Sequence, residues 1–299
     1  MSMIVVGTVA LDDVQTPFGK VTSALGGSAT YAGVAASFFC KVKMAAIVGT
    51  DFPEKNISFL QRRGIDTTGL VIEKGKTFRW SGKYTYDLNN PQTLKTELNL
   101  LTQFKPILPS AYRKEKFVFL ANIDPNIQLA VLEQLTQPKL VVADTMNYWI
   151  RQEKKALRKV IKKCDILVVN DSEARQYTEE ANVLKAGRIL LAQGPDLVII
   201  KRGEYGCLLF GSRFMFSIPA YLLESLADPT GAGDSFAGGF LGYLTACPRI
   251  NEQSFRKAIA YGTIMASFAV EEFSLNRLKT IKKTDIESRF NKFRRITRF

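Results

Sequence analysis

Residues 228 to 240 read Asp228-Pro229-Thr230-Gly231-Ala232-Gly233-Asp234-Ser235-Phe236-Ala237-Gly238-Gly239-Phe240. A flexible turn of small residues runs directly into an apolar, small-residue helical segment, with a carboxylate at the junction. The start of a helix leaves backbone N–H groups unpaired and carries partial positive charge, so it attracts anions. Gly231 and Gly233 let the chain curl round a phosphate with no Cβ in the way. Asp234 then stands at the same helix start, facing whatever that phosphate reacts with. An anion cradle beside a carboxylate supplies what transfer of a phosphoryl group to a hydroxyl requires: charge stabilisation and a group to take the proton. A bare Gly-x-Gly-Asp is more often a glycine turn with the aspartate as helix cap. The full stretch is far more specific.

Composition narrows the chemistry further. The 299 residues suffice for one large domain with a substantial core, and 1–299 is read as one such domain. Hydrophobic content of 46% with 23% charged residues is that of a globular chain. No uncharged apolar run is long enough for a membrane span, and Met1–Gly7 reads as a first strand rather than a signal peptide. Cys40, Cys164, Cys207 and Cys247 are too scattered for a zinc site or a disulfide scaffold, so a reducing cytoplasm is the expected compartment. There is no histidine. Ser-His-Asp and Cys-His catalysis are therefore excluded, and proton transfer falls to a carboxylate, Lys, Tyr, Cys or water.

Strand-like apolar runs alternate with helical ones along the chain. They lie at Ile4–Val9, Met44–Val48, Phe117–Ala121, Leu140–Ala143, Ile166–Val169, Leu197–Ile200 and Cys207–Phe210, with closing helices at Asp234–Thr245 and Ser254–Val270. Continuous apolar strands between helices indicate a mostly parallel sheet covered on both faces. Thr77–Tyr86 breaks the rhythm: aromatic, alternating and without a helical partner, it reads as an exposed antiparallel strand. The net charge of +13 draws on a basic end, about 280–299, where Lys282, Lys283, Arg289, Lys292, Arg294, Arg295 and Arg298 punctuate an apolar stripe. We read it as the solvated face of a terminal helix. A nucleic-acid contact is the sharper alternative, and no RNA- or DNA-binding motif accompanies it.

The 228–240 stretch resembles the C-terminal signature of the ribokinase-like, or PfkB, carbohydrate kinases, and the resemblance runs from about Met3 to Leu278. It implies a three-layer α/β sandwich with a mostly parallel central sheet and a small β lid, contributed mainly by about 72–105. It also implies an ATP-dependent kinase using Mg-ATP, with Asp234 as catalytic base and the backbone of Gly231, Ala232 and Gly233 as anion hole. Asp228 and Thr230 match positions whose backbone oxygens help some members hold a monovalent cation such as K⁺.

Further motifs fit the same family. Gly26-Gly27-Ser28-Ala29-Thr30-Tyr31-Ala32 resembles its N-terminal signature, where paired glycines admit a substrate close to the main chain. Asp12 matches a carboxylate that accepts hydrogen bonds from sugar hydroxyls; as a residue alone it reads equally as a turn. Ala10 and Tyr31 stand where ribokinase has sugar-binding asparagines, which argues against plain ribose. Tyr31, with Phe78 and Trp80 of the expected lid, leans towards a nucleoside, whereas Arg79 and Lys83 lean towards a sugar phosphate. Asn170-Asp171-Ser172-Glu173 resembles the family's Asn-x-x-Glu motif for magnesium and phosphate, although the same spacing makes a helix-capping box. Lys201, Gly203 and Gly206 match the nucleotide-side turn, and Gly262 the wall of the adenine pocket. Asp144 or Asn147, after a predicted strand, is a further substrate candidate; the competing and slightly preferred reading of that segment is a loop that packs Trp149 into the core. Sugar and nucleoside remain level as acceptors; a sugar-phosphate kinase and a non-catalytic sugar- or nucleotide-binding regulator are the alternatives. The expected partners are ATP and that small molecule, with a homodimer left open.

Overall fold

The short apolar runs fold as strands buried on both faces. In the computed structural model, which describes residues 1–298, the chain begins with β1 (Ser2–Val6), β2 (Ala10–Thr16), β3 (Gly19–Gly26), α1 (Ser28–Ala36), β4 (Lys41–Gly49) and α2 (Glu54–Arg62). It continues with β5 (Ile65–Glu73), β6 (Arg79–Lys83), β7 (Gln92–Glu97), β8 (Phe117–Leu120), α3 (Pro125–Leu132), β9 (Leu140–Asp144), α4 (Asn147–Gln152) and α5 (Lys154–Ile161). Then come β10 (Ile166–Asn170), α6 (Asp171–Thr178), α7 (Val183–Leu191), β11 (Leu197–Lys201), β12 (Cys207–Gly211) and β13 (Met215–Ile218). Four helices close the chain: α8 (Ala232–Ala246), α9 (Glu252–Ala269), α10 (Asn276–Thr280) and α11 (Lys283–Ile296).

The main sheet has nine strands in the order β13-β12-β11-β10-β9-β8-β1-β4-β5. Every neighbouring pair is parallel except β11–β12 and β12–β13. Successive side chains of a strand point to opposite faces. Met3 and Val5 of β1 therefore join one core with Ala32 of α1 and Phe240 of α8. Ile4 and Val6 join the other, with Val131 of α3, Leu157 of α5 and Leu190 of α7. In β10 and β11 the same alternation sends Ile166, Val168, Leu197 and Ile199 to the first core and Leu167, Val169, Val198 and Ile200 to the second. Two-sided burial is why these strands carry no polar alternation. The result is three layers, helix–sheet–helix, as in ribokinase-type folds.

A second sheet has the order β3-β2-β6-β7. Two antiparallel hairpins, β2–β3 and β6–β7, are joined by parallel pairing of β2 with β6. The segment expected to supply the lid, about 72–105, contributes β6 and β7; the other half of the sheet, β2 and β3, comes from residues 10–26. That hairpin is hidden in the sequence because Asp12 and Asp13 break the alternation of β2. The fold absorbs them in a register shift between Asp12 and Val14.

At the C-terminus, α11 docks through Ile286 and Phe293. Arg289 leaves the basic face. Its guanidinium lies 2.7 Å from Glu271 and 3.5 Å from the centre of the Phe268 ring. Among the described residues, no helix is long and apolar enough to cross a membrane.

Candidate active site

The parallel strands deliver their C-terminal ends to one edge of the main sheet, where open α/β sheets bind ligands. Helix α8 begins above that edge. Its N-cap, Gly231, has φ 75°, the left-handed conformation that a glycine adopts without strain. Ala232 N–H turns back to the Pro229 carbonyl at 3.2 Å. No side chain caps this end, and the amides of Gly233 and Asp234 have no acceptor among the described residues. The helix starts at Ala232, two residues earlier than its sequence suggests, so Asp234 lies inside the first turn and is not the cap. The ring of Tyr31, 1% exposed, backs the turn so closely that a Cβ on Gly231 would fall 2.4 Å from it.

Beneath the turn, Lys201 at the end of β11 pairs with Asp144 at the end of β9, Nζ to Oδ2 2.9 Å. The Lys201 ammonium lies 3.0 Å from where a Cβ of Gly233 would stand. Burial works against that ammonium, but Asp144, Glu173 and Asp234 outweigh it and hold its pKa above the ordinary lysine value. Asp234 keeps some exposure through the cleft. Burial among protein atoms, reinforced by Asp144 and offset in part by Lys201, nevertheless pushes its carboxyl up to about 7. Burial also drives Glu173 upward, with Lys201 opposing and Asp144 adding to the shift.

Asn170 and Glu173 form the capping box of α6. Asn170 N–H donates to Glu173 Oε2 at 2.7 Å, and Glu173 N–H donates to Asn170 Oδ1 at 2.7 Å. The other Glu173 oxygen makes no hydrogen bond among the described residues. No group of three or more His, Cys, Asp or Glu side chains among them is arranged to hold a metal ion.

The N-terminal glycine pair lies on the neighbouring side of the cleft. A Cβ on Gly26 would stand 1.9 Å from Asp12 Oδ2, and one on Gly27, which has φ 92°, 2.4 Å from the Thr8 carbonyl oxygen. Asp12 is 5% exposed, and its Oδ1 has no hydrogen-bond partner. Burial pushes its carboxyl up to about 8, against a hydrogen bond from Gly27 and with Asp228 and Asp234 adding repulsion. Asp228 is fully buried and spends both oxygens internally, accepting from Thr230 N–H at 2.9 Å and Ser274 N–H at 3.1 Å. The Thr230 hydroxyl reaches the Tyr84 hydroxyl at 3.3 Å, which ties the end of β6 to the glycine turn.

The structure thus brings Gly231, Ala232, Gly233, Asp234, Lys201, Asn170 and Glu173 together, with Asp12, Gly26, Gly27 and Tyr31 adjoining. Other predicted residues have other surroundings. Arg79 is held by Asp51 Oδ2 at 3.3 Å and Ser23 Oγ at 3.1 Å. Trp80 donates to Thr93 Oγ1 at 3.3 Å, and its ring covers Gly82 of its own sheet. Phe78 packs on a cluster containing Leu100, Phe104 and Ile123. Gly203 and Gly206 take positive φ in the β11–β12 turn; a Cβ on Gly203 would meet Asn89 of the β6–β7 loop at 1.8 Å. Gly262 is buried where α9 meets α8, 2.8 Å from Cβ position to the Phe236 carbonyl. A cavity of about 440 Å³ lined by Leu140, Asp165, Asp196 and Phe255 contains none of these residues.

Sequence reasoning set Asp144 below a packing role for its loop, and overlooked Gln128. The Gln128 side chain, fully buried in α3, lies within reach of the carbonyls of Leu120, Ala121 and Asp144, at 3.2, 3.0 and 3.0 Å from Nε2. Position at a strand's C-terminal end was the available signal for Asp144. A glutamine in an apolar helix gives none.

Fold and site define a phosphotransferase, and the chain belongs to the pfkB family of carbohydrate kinases, whose model matches residues 3–281. It is an ATP-dependent kinase of a sugar or nucleoside. Over 273 residues it is 32% identical to the cytidine kinase of Thermococcus kodakarensis, covering 87% of this chain and 96% of that relative. The crystal structure of the Methanocaldococcus jannaschii nucleoside kinase superposes with a TM-score of 0.77 at 21% identity, covering 97% of this chain and 98% of the other. The nucleoside kinase of Burkholderia thailandensis in complex with inosine gives a TM-score of 0.77 at 19% identity, with 97% of each chain covered.

Proposed function

We propose that the acceptor is a nucleoside, phosphorylated on a sugar hydroxyl by ATP with Asp234 as general base. The observation that carries this reading is the Asp234 carboxyl, pushed up to about 7 beside the unpaired amides that open α8. A base whose pKa sits near the working pH is half in its proton-accepting form and still takes a proton readily. The acceptor oxygen attacks the γ-phosphorus, its proton passes to Asp234, and the bond to the β-phosphate oxygen breaks to leave ADP. The Gly231–Gly233 backbone and the Lys201 ammonium face the charge that develops on the transferring group. Asp12, beside the Gly26–Gly27 turn, holds the sugar hydroxyls.

The relatives named as cytidine and nucleoside kinases support a nucleoside acceptor. So does Arg79: with its charge met by Asp51, the main argument for an anionic acceptor weakens. Magnesium fits the donor set, because Mg²⁺ takes one or two carboxylates, several waters and substrate phosphates rather than a protein cage. Glu173, through its free oxygen, and Asn170 would hold it, and the ion would neutralise phosphate charge. A monovalent cation at the Asp228 and Thr230 carbonyls belongs to the same proposal; potassium-dependent turnover is its readout. The second sheet acts as a lid that excludes water.

ADP release from Mg-ATP against a panel of nucleosides, sugars and sugar phosphates tests the reading. Turnover is expected on nucleosides. Asp234→Asn should stay folded and lower it by roughly 10²–10⁴-fold, the usual worth of base catalysis. Near-wild-type turnover in that variant would remove Asp234 as base, and turnover confined to sugars would replace the acceptor.

A further inference from the structure

We propose that Asn122 reads the base of the acceptor, its Oδ1 accepting a hydrogen bond from an exocyclic amine; this rests on the nucleoside reading above. Asn122 leaves the C-terminal end of β8, and its backbone is tied to the hydroxyl-binding turn. Its carbonyl accepts from Ser28 Oγ at 2.8 Å, and Ser28, the residue after Gly27, is locked to Thr8 by bonds of 3.0 and 3.1 Å. The side chain is not satisfied in the same way. Nδ2 donates only to the thioether of Met146, at 3.1 Å, and Oδ1 is buried with no partner. A thioether has no hydrogen to give, so the amide is oriented: turning it over would set its oxygen against the sulfur. Nδ2 keeps a second hydrogen, and Oδ1 is the end with no partner at all.

Buried polar atoms without partners are few in folded proteins and call for an explanation. Three lie near the Gly27 turn: Asp12 Oδ1, Asn122 Oδ1 and, in the first turn of α1, Thr30 Oγ1. Asp12 answers to sugar hydroxyls. Asn122 borders different chemistry, because Ile123, the next residue, is buried in the apolar cluster that Phe78 of the second sheet also joins. A nucleobase has apolar faces and a polar edge. With its ribose on the Gly27 turn, it would lie at this border with its faces on the apolar cluster and its edge on the amide. An acceptor there selects an N–H on the base and disfavours a carbonyl at the same position.

Cytidine and uridine share the ribose and differ along one base edge, where cytidine has an amine at position 4 beside an accepting N3 and uridine a carbonyl beside an N3–H, so their ratio of kcat/KM reads how the amide meets position 4. Wild type is expected to favour cytidine. Asn122→Leu should cut the cytidine-to-uridine ratio by about tenfold, the scale of one lost hydrogen bond, with the KM for ATP unchanged. Asn122→Asp, which keeps an acceptor, should retain the preference, and a melting curve for each variant checks folding. A ratio unchanged in Asn122→Leu, a parallel fall for both nucleosides, or a wild-type preference for uridine overturns the assignment. Wild type inactive on every nucleoside overturns the acceptor reading itself, and this inference with it.

Discussion

Lys201 is the cation set among Asp144, Glu173 and Asp234, so its removal acts on stability and catalysis at once. Lys201→Met would leave Asp144, whose side chain is 4% exposed, as an uncompensated buried charge. Breaking such a pair typically costs about 3–5 kcal/mol. The same change removes the charge that holds the Asp234 carboxyl down. The rising limb of the pH profile of kcat/KM, expected near pH 7 in wild type, should move to higher pH in Lys201→Met. A profile that stays in place would show that Lys201 does not tune the base. The glycine turn at the head of α8, with Asp234 in its first turn, was legible in the sequence because its residues are contiguous. The Lys201–Asp144 pair was not, since its partners are 57 residues apart and meet only because β10 places β9 and β11 on either side of itself.

At the scale of elements, the edge carrying the site is held together from α3. Gln128 pins the last carbonyls of β8 and β9, the strands that lead into Asn122 and Asp144. Gln128→Leu fills similar space but leaves those carbonyls unpaired, at about 1–3 kcal/mol for the buried groups. A lowered midpoint in chemical denaturation, with a loss of kcat larger than any change in KM for ATP, is the expected result. Unchanged stability would mean that the carbonyls find other donors. The buried strands were readable as strands, because few patterns other than a two-sided sheet tolerate runs such as Ile166–Val169. The hairpin of β2 and β3 was not, since its bulge at Asp12–Val14 removes the alternation that marks a half-buried strand. Asp12 could therefore be singled out by resemblance, but its place on the second sheet was hidden.

The whole molecule carries a pH signature. Asp12, Glu173 and Asp234 all have raised folded-state pKa values, with Asp12 at about 8 and Asp234 at about 7, against about 4 in an unfolded chain. Between those limits the folded state binds more protons than the unfolded one, so stability is highest at the acid end of the window and falls as pH rises towards 8. The chain has no histidine to blur the trend. The melting temperature of the ligand-free protein should fall from pH 5 to pH 8. Asp12→Asn should flatten the slope and raise the melting temperature at pH 8, and a flat wild-type profile would contradict the clustered-carboxylate account.

One further consequence lies in the placement of Asp12. It belongs to β2, the strand that pairs with β6, and β6 leads straight to Tyr84, whose hydroxyl meets Thr230 beside the glycine turn. The side chain proposed to hold the acceptor and the strand that reaches the glycine turn are thus parts of a single sheet. On the proposed reading, an acceptor held by Asp12 would engage the same sheet that covers the reaction, which would couple its arrival to enclosure. The expected outcome is slow ATP hydrolysis without an acceptor, measured as ADP release from Mg-ATP alone.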